Sequence, residues 1–295
     1  MTNKTVLGII VFLLLAIGLS AHYRISTGPP PEGKTDVDSK VYARVIKSGK
    51  LRVGYITFPP YLNKDTSSGQ LSGIFYDITQ KLGRNLSLKV VWVEEVGLAN
   101  LSAGFDANRY DLIAFPLWRN GARAKNVAFS TPLFYSAVGA YARAGDTRFD
   151  DRLDRINSPE ITVAAIDGEM AGVIAAEDFP KAKVVSLPQL VDYTQLMLEV
   201  TSDKADVTFF STLFANRFIS KNPNSVKEIS RGRPVRLYAE CFILPLGDPS
   251  FASMIDSALI EIVENGGLEA AFRNQSEDPG EYFMRALPYR QPTTR

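Results

Sequence analysis

The sequence predicts an α/β protein of two similar lobes, each a mostly parallel sheet flanked by helices, and three observations carry that expectation. Apolar runs of strand length alternate with segments of helical periodicity at residues 51–56, 74–82, 88–93, 98–105 and 112–115. A βαβαβ order of this kind makes a parallel, helix-covered sheet. The alternation restarts at residues 161–166, 170–176, 182–186, 193–200, 207–210 and 212–220. The halves also echo each other: Asn108-Arg-Tyr-Asp111-Leu-Ile-Ala-Phe115 parallels Asp203-Lys-Ala-Asp206-Val-Thr-Phe-Phe210, a polar helix end, an Asp and then an apolar strand. An Asp so placed caps neighbouring backbone.

The chain opens with Lys4 ahead of an apolar run at residues 6–19, shorter than the ~20 residues of a spanning helix. No formal charge appears between Thr5 and Tyr23, which approaches the length of a span. Residues 1–23 are therefore either a signal peptide or a retained N-terminal membrane anchor, and both place the globular part outside the cytoplasm. Residues 24–40, with Gly28-Pro-Pro-Pro31 and a charged stretch, are expected to be a Pro-rich linker. Lobe one is expected over residues 41–141 plus 238–273 and lobe two over 142–237. A helix at 41–47 precedes the first strand, and Phe58-Pro-Pro-Tyr61 lies beyond that strand's carboxyl end, where open α/β sheets bind ligands. Residues 136–143 leave the first lobe as an extended segment and residues 236–244 return as a strand; two such crossings make a hinge. In residues 250–264 the apolar positions Phe251, Met254, Ile255, Ala258, Leu259 and Ile262 recur at helical spacing. A short helix is expected at 268–272, and the polar tail 274–295 carries no functional signal.

Composition excludes several function classes. A net charge of +1 over 295 residues leaves no nucleic-acid footprint. The single cysteine, Cys241, allows no intrachain disulfide, leaves no lipid-attachment Cys behind the leader, and reads as a packed strand residue. The only histidine is His22 in the export segment, so the folded part has no imidazole base, relay or metal ligand. There is no Cys/His cluster, Gly-rich phosphate loop or nucleophile elbow. No metal or cofactor is expected, and the protein is expected to act as a monomer. An enzyme built on this chain would rely on Asp, Glu, Tyr or Lys.

Residues 111–132 hold the strongest candidate site. A short apolar run is expected to break at Pro116 and turn through Asn120-Gly121, with Arg123 just past the turn. A guanidinium at a strand end holds a carboxylate with two parallel donors.

Three segments also carry a family resemblance: Leu51-Arg-Val-Gly-Tyr-Ile-Thr-Phe-Pro-Pro60-Tyr61, Gly69-Gln-Leu-Ser-Gly73-Ile-Phe-Tyr-Asp77, and Arg123-Ala-Lys-Asn-Val-Ala-Phe129-Ser130-Thr-Pro132. In order and spacing the chain from Val41 to Phe272 resembles the bacterial extracellular solute-binding proteins of family 3, the periplasmic polar amino-acid-binding proteins of ABC transporters. The resemblance implies a type II two-lobed periplasmic binding protein fold. It also implies an interlobe cleft that closes on a small polar, carboxylate-bearing solute. The partner would be an inner-membrane ABC permease, or a sensor where the anchor is retained. It places Arg123 on the ligand carboxylate, Phe58 stacked on the ligand and Tyr55 near its side chain, with Trp118, Asn120, Gly168, Glu169 and Ser211 around it.

The chain also departs from the family pattern. Trp118-Arg-Asn120 replaces a Thr-x-Thr turn, Gly168-Glu169-Met170 replaces a Gly followed by Thr, and Ser211 stands where amino-acid binders place the Asp that pairs with the α-ammonium. Either Glu169 supplies that charge, or the ligand has no ammonium, or the cleft has lost its ligand. Some relatives are cyclohexadienyl dehydratases acting on prephenate or arogenate, which makes Glu169 a candidate acid for an enzyme on the same scaffold. A membrane-tethered regulatory module with a degenerate cleft is the third alternative.

Overall fold

The computed structural model describes residues 40–189, 191–230, 233–277 and 282–284. The expected leader or anchor over residues 1–23 lies outside them, as do the linker up to residue 39 and the tail beyond 284. Among the described residues no helix is long and apolar enough to cross a membrane.

Helix α1 (Lys40–Ser48) leads into strand β1 (Lys50–Tyr55), α2 (Ile74–Asn85), β2 (Lys89–Glu95), the single-turn α3 (Ala103–Asp106) and β3 (Leu112–Trp118). Strand β1 pairs in parallel with both β2 and β3. The long strand β4 (Phe134–Arg143) then carries the chain into a second unit: β5 (Thr162–Ile166), α4 (Met170–Asp178), β6 (Lys183–Leu187), α5 (Gln195–Thr201), β7 (Val207–Ser211) and α6 (Thr212–Lys221). Here β5 is parallel to β6 and β7. Strand β8 (Arg236–Leu244) brings the chain back to α7 (Pro249–Glu264) and α8 (Gly267–Asn274). The main path of the sheet is β2-β1-β3-β8-β4-β7-β5-β6. The two parallel halves are thus joined by β8 and β4, antiparallel to each other from Arg236↔Val138 to Glu240↔Phe134.

Strands covered on both faces are apolar at nearly every position. In β5, Val163 and Ala165 face a cluster with Ile174 of α4 and Phe209, while Ala164 and Ile166 face Leu196, Met197 and Val200 of α5. The first lobe packs Ile74, Phe75, Ile78 and Leu82 of α2 against Phe242, Ile255, Leu259 and Phe272. The internal echo has one physical meaning in both lobes. Asp111 accepts from the Arg52 amide at 2.8 Å, and Asp206 accepts from the Thr162 amide at 2.8 Å. Each carboxylate closes the start of the neighbouring parallel strand. Asp248 caps two helices together, accepting from Phe251 N at 2.9 Å in α7 and from Val41 N and Tyr42 N at 2.8 and 3.0 Å in α1.

Two local expectations are corrected. The strand expected to stop at Pro116 continues to Trp118. Its pairing with β1 ends at Ala114, and its register with β8 shifts between Cys241 and Ile243, so the missing N–H falls beside a bulge. The helix expected at 98–105 is instead a 3₁₀ turn, Leu98–Asn100, followed by α3. Asn100, Ser102 and Gly104 are poor interior residues. Gly104 is also packed on Tyr110, where an added Cβ would lie 2.0 Å from the ring.

Candidate functional site

Past β3 the chain turns at Asn120, whose Oδ1 accepts from the Arg123 amide at 2.9 Å and fixes the start of the 3₁₀ turn Arg123–Lys125. The guanidinium then reaches two ways. Nη1 donates to the Trp118 carbonyl at 3.1 Å, and Nη2 donates to Glu169 Oε1 at 2.6 Å. Glu169 belongs to the other lobe, at the N-terminus of α4, where Gly168 at φ +73° turns the chain off β5. The pair therefore spans the cleft, and its side chains are only 16% and 17% exposed. Asn120 Nδ2 adds a weaker cross-lobe contact to Met170 Sδ at 3.6 Å.

Beside this pair the cleft wall is aromatic. Phe58, in the loop after β1, has ring-centroid distances of 5.0 Å to Phe214 of α6 and 6.1 Å to Tyr193, both across the cleft. Tyr61 lies 6.0 Å from the same Phe214. These rings, with Phe115, Leu117 and Ser211, enclose an inner cavity of ≈ 90 Å³. A more polar outer compartment of ≈ 280 Å³ is lined by Ser102, Asn126, Gly168 and Gln189. Arg123, Glu169 and Tyr193 line both, so the ion pair stands at their shared boundary.

A second acidic residue lines the inner cavity. Glu240 of β8 is 2% exposed. Its Oε1 accepts from the Trp118 indole Nε1 at 2.6 Å and from the Ser136 hydroxyl. Its Oε2 has no hydrogen-bond partner among the described residues. Burial pushes the carboxyl up to about 8, against the opposing pull of the Ser136 and Trp118 donors and the Arg123 charge. Burial thus favours the neutral acid, in which Oε1 takes the two donors as the carbonyl oxygen and Oε2 carries the proton.

The structure brings Phe58, Trp118, Asn120, Arg123, Gly168, Glu169 and Ser211 to the cleft. Tyr55 is placed elsewhere. It is buried in the first-lobe core, edge-on to Trp92 at 6.0 Å, and lines neither compartment. Trp118 stacks on Tyr238 at 4.8 Å instead of standing free in the cleft. Sequence reasoning missed Tyr61, Tyr193, Phe214 and Glu240. Only Glu240 left a signal, as a lone acid within the apolar strand Ala239-Glu240-Cys-Phe-Ile-Leu244. No cluster of metal-ligating side chains occurs among the described residues.

The sequence profile of the bacterial extracellular solute-binding proteins, family 3, matches residues 51–274. The chain is 24% identical over 226 residues to the cyclohexadienyl dehydratase of Pseudomonas aeruginosa, covering 76% of this chain and 81% of that protein. It is 25% identical over 231 residues to a "probable amino-acid ABC transporter-binding protein" of Haemophilus influenzae, covering 77% and 84%. The crystal structure of the solute receptor for L-cysteine of Neisseria gonorrhoeae has the same fold. It superposes with a TM-score of 0.64 at 17% identity over 82% of this chain and 99% of that one.

Proposed function

The chain belongs to the bacterial extracellular solute-binding proteins, family 3, and from that premise we propose that it captures a zwitterionic solute, an α-amino acid with an apolar body, between its lobes. One observation carries this: two opposite charges from opposing lobes, Arg123 and Glu169, meet at 2.6 Å at the boundary of an aromatic-walled cavity. A zwitterion exchanges that one ion pair for two, its carboxylate on Arg123 and its ammonium on Glu169. A simple carboxylate would take Arg123 and leave Glu169 facing another anion, which is costly in a site shielded from water. Glu169 then replaces the charge that is absent at Ser211. The aromatic rings bury the solute's body, and contacts made to both lobes at once favour closure. In this proposal the protein is exported by its N-terminal segment and presents the solute to an ABC-type permease, or to a membrane sensor if the segment stays as an anchor.

Thermal unfolding of the purified protein with a panel of α-amino acids, the matching keto acids and dicarboxylates tests the proposal. Solutes that bind only the folded state raise the midpoint. A shift with apolar α-amino acids, absent with their keto acids and lost in Arg123→Ala, is the expected result. Shifts with keto acids alone would refute the zwitterion assignment, and no shift at all would favour the degenerate, tethered module.

A dehydratase on the same scaffold is the second reading, favoured by one observation: a buried acid whose carboxyl burial pushes up, Glu240, lines the cleft, whereas Glu169 is occupied by Arg123. Assaying prephenate and arogenate with the purified protein separates the two. Turnover of either would displace the binding-protein proposal.

A further inference from the structure

We propose that Glu240 is a specificity-determining residue of the cleft, its unshared Oε2 hydroxyl donating a hydrogen bond to a neutral oxygen (hydroxyl, ether or carbonyl) on the body of the solute. The proposal rests on the solute-binding reading above and narrows it to apolar α-amino acids that bear a single uncharged acceptor.

The two oxygens of Glu240 stand in different surroundings. Oε1 is saturated, accepting from Trp118 on β3 and from Ser136 on β4. Oε2 is buried and has no partner among the described residues. Buried polar atoms are nearly always partnered, and an O–H left facing apolar rings is costly. The groups that face Glu240 from each packed element are few. Trp118 and Ser136 are neutral donors, Tyr61 from the loop after β1 is a neutral phenol, and Cys241 is its buried neighbour in β8. The one charge among them is Arg123, held by Glu169 and the Trp118 carbonyl. Among the described residues no basic side chain is hydrogen-bonded to Oε2. An anion there would be buried without a donor beside a cavity lined largely by apolar and aromatic side chains, whereas a neutral acid needs only one acceptor.

Trp118 links the two ends of the site, its carbonyl on Arg123 and its indole on Glu240. A solute anchored through its carboxylate at Arg123 thus has its body directed along the Trp118 edge towards Glu240. The inner cavity of ≈ 90 Å³ is smaller than the ~150 Å³ void that accepts benzene. The volume therefore favours a short side chain over a ring.

The test uses solutes matched except for one oxygen: L-valine and L-threonine, L-norvaline and L-homoserine, L-phenylalanine and L-tyrosine. Calorimetric titration of each is made at about pH 6 and about pH 9, either side of the Glu240 transition, with each affinity referred to the zwitterionic fraction of the solute. The oxygen-bearing member of at least one pair is expected to bind about tenfold tighter at the lower pH, and the gap to close at the higher. Glu240→Gln, whose amide also donates, keeps the preference and removes its pH dependence; Glu240→Leu erases the preference. Binding without preference in any pair sinks this proposal and leaves the solute reading standing. Loss of all binding in folded Glu240→Gln would mean that Glu240 holds the ammonium as an anion, which also overturns the proposal. No binding by any member of the panel sinks both. A solute-free arm reports on the acid itself: in a Trp92→Phe background, Trp118 emission should titrate near 8 and be flat in Glu240→Gln. Emission flat in both proteins overturns the neutral-acid assignment.

Discussion

Glu240 also makes a quantitative prediction about stability. Burial holds its proton from the ordinary carboxyl value of 4.5 up to about 8 in the folded protein. Between those values the folded state binds one more proton than the unfolded chain, so stability falls as pH rises. The contribution of the neutral acid is complete below the unfolded value and is lost progressively as pH climbs through the folded one. The slope is about 1.4 kcal/mol per pH unit, and the whole interval approaches about 4–5 kcal/mol. That is comparable with the entire stability of many domains, about 5–15 kcal/mol. Glu240→Gln removes the titrating proton while keeping an acceptor for Trp118 and Ser136. Urea unfolding of both proteins from about pH 5 to about pH 8.5 should show the wild-type curve descending relative to the variant, with the largest difference above about pH 8. Parallel profiles would refute the argument, because they would mean that Glu240 ionises alike in the folded and unfolded chains.

Three further outcomes are expected. Glu169→Gln should lower stability by about 1–2 kcal/mol in urea titrations and weaken α-amino-acid binding at least about tenfold by calorimetry; unchanged affinity would place the ammonium elsewhere. Asp248→Ala removes the acceptor of three helix-terminal amides and should cost about 1–3 kcal/mol, read as a lower unfolding midpoint. Gly104→Ala puts a methyl 2.0 Å from the buried Tyr110 ring and should cost about 1–3 kcal/mol or more, again by midpoint, and a neutral result would show that the ring can move.

The architecture was legible because both lobes follow one rule: strands apolar on both faces, separated by helical periods. The return strand β8 occupies residues 236–244, the span read from its apolar pattern. Pro116 misled because proline forbids a strand only where its amide is needed, and need depends on neighbours distant in sequence. In the site, Arg123 was legible from its turn, and its partner Glu169 from the loop that departs from the family pattern. Tyr55 was not legible in the same way. The family resemblance placed it near the ligand side chain, but its ring turns into the core against Trp92, and direction at a strand end is not written in local sequence. Tyr282 in the tail was silent too. It packs on Tyr61, Phe134 and Phe272, and Phe283–Met284 pair with β4, contacts that only the closed chain reveals. Glu240 escaped because a single acid in an apolar run is as compatible with a strand edge as with a cavity wall.

The ion pair between the lobes makes Glu169 a tethered competitor. Its carboxylate occupies Arg123 at the effective concentration of an attached group, which is on the order of millimolar for flexible tethers and higher for a rigid scaffold. Any free carboxylate that enters must displace this internal ligand. The measured affinity is therefore that of an exchange, and shortening Glu169 should let plain carboxylic acids occupy a guanidinium that the intact protein reserves.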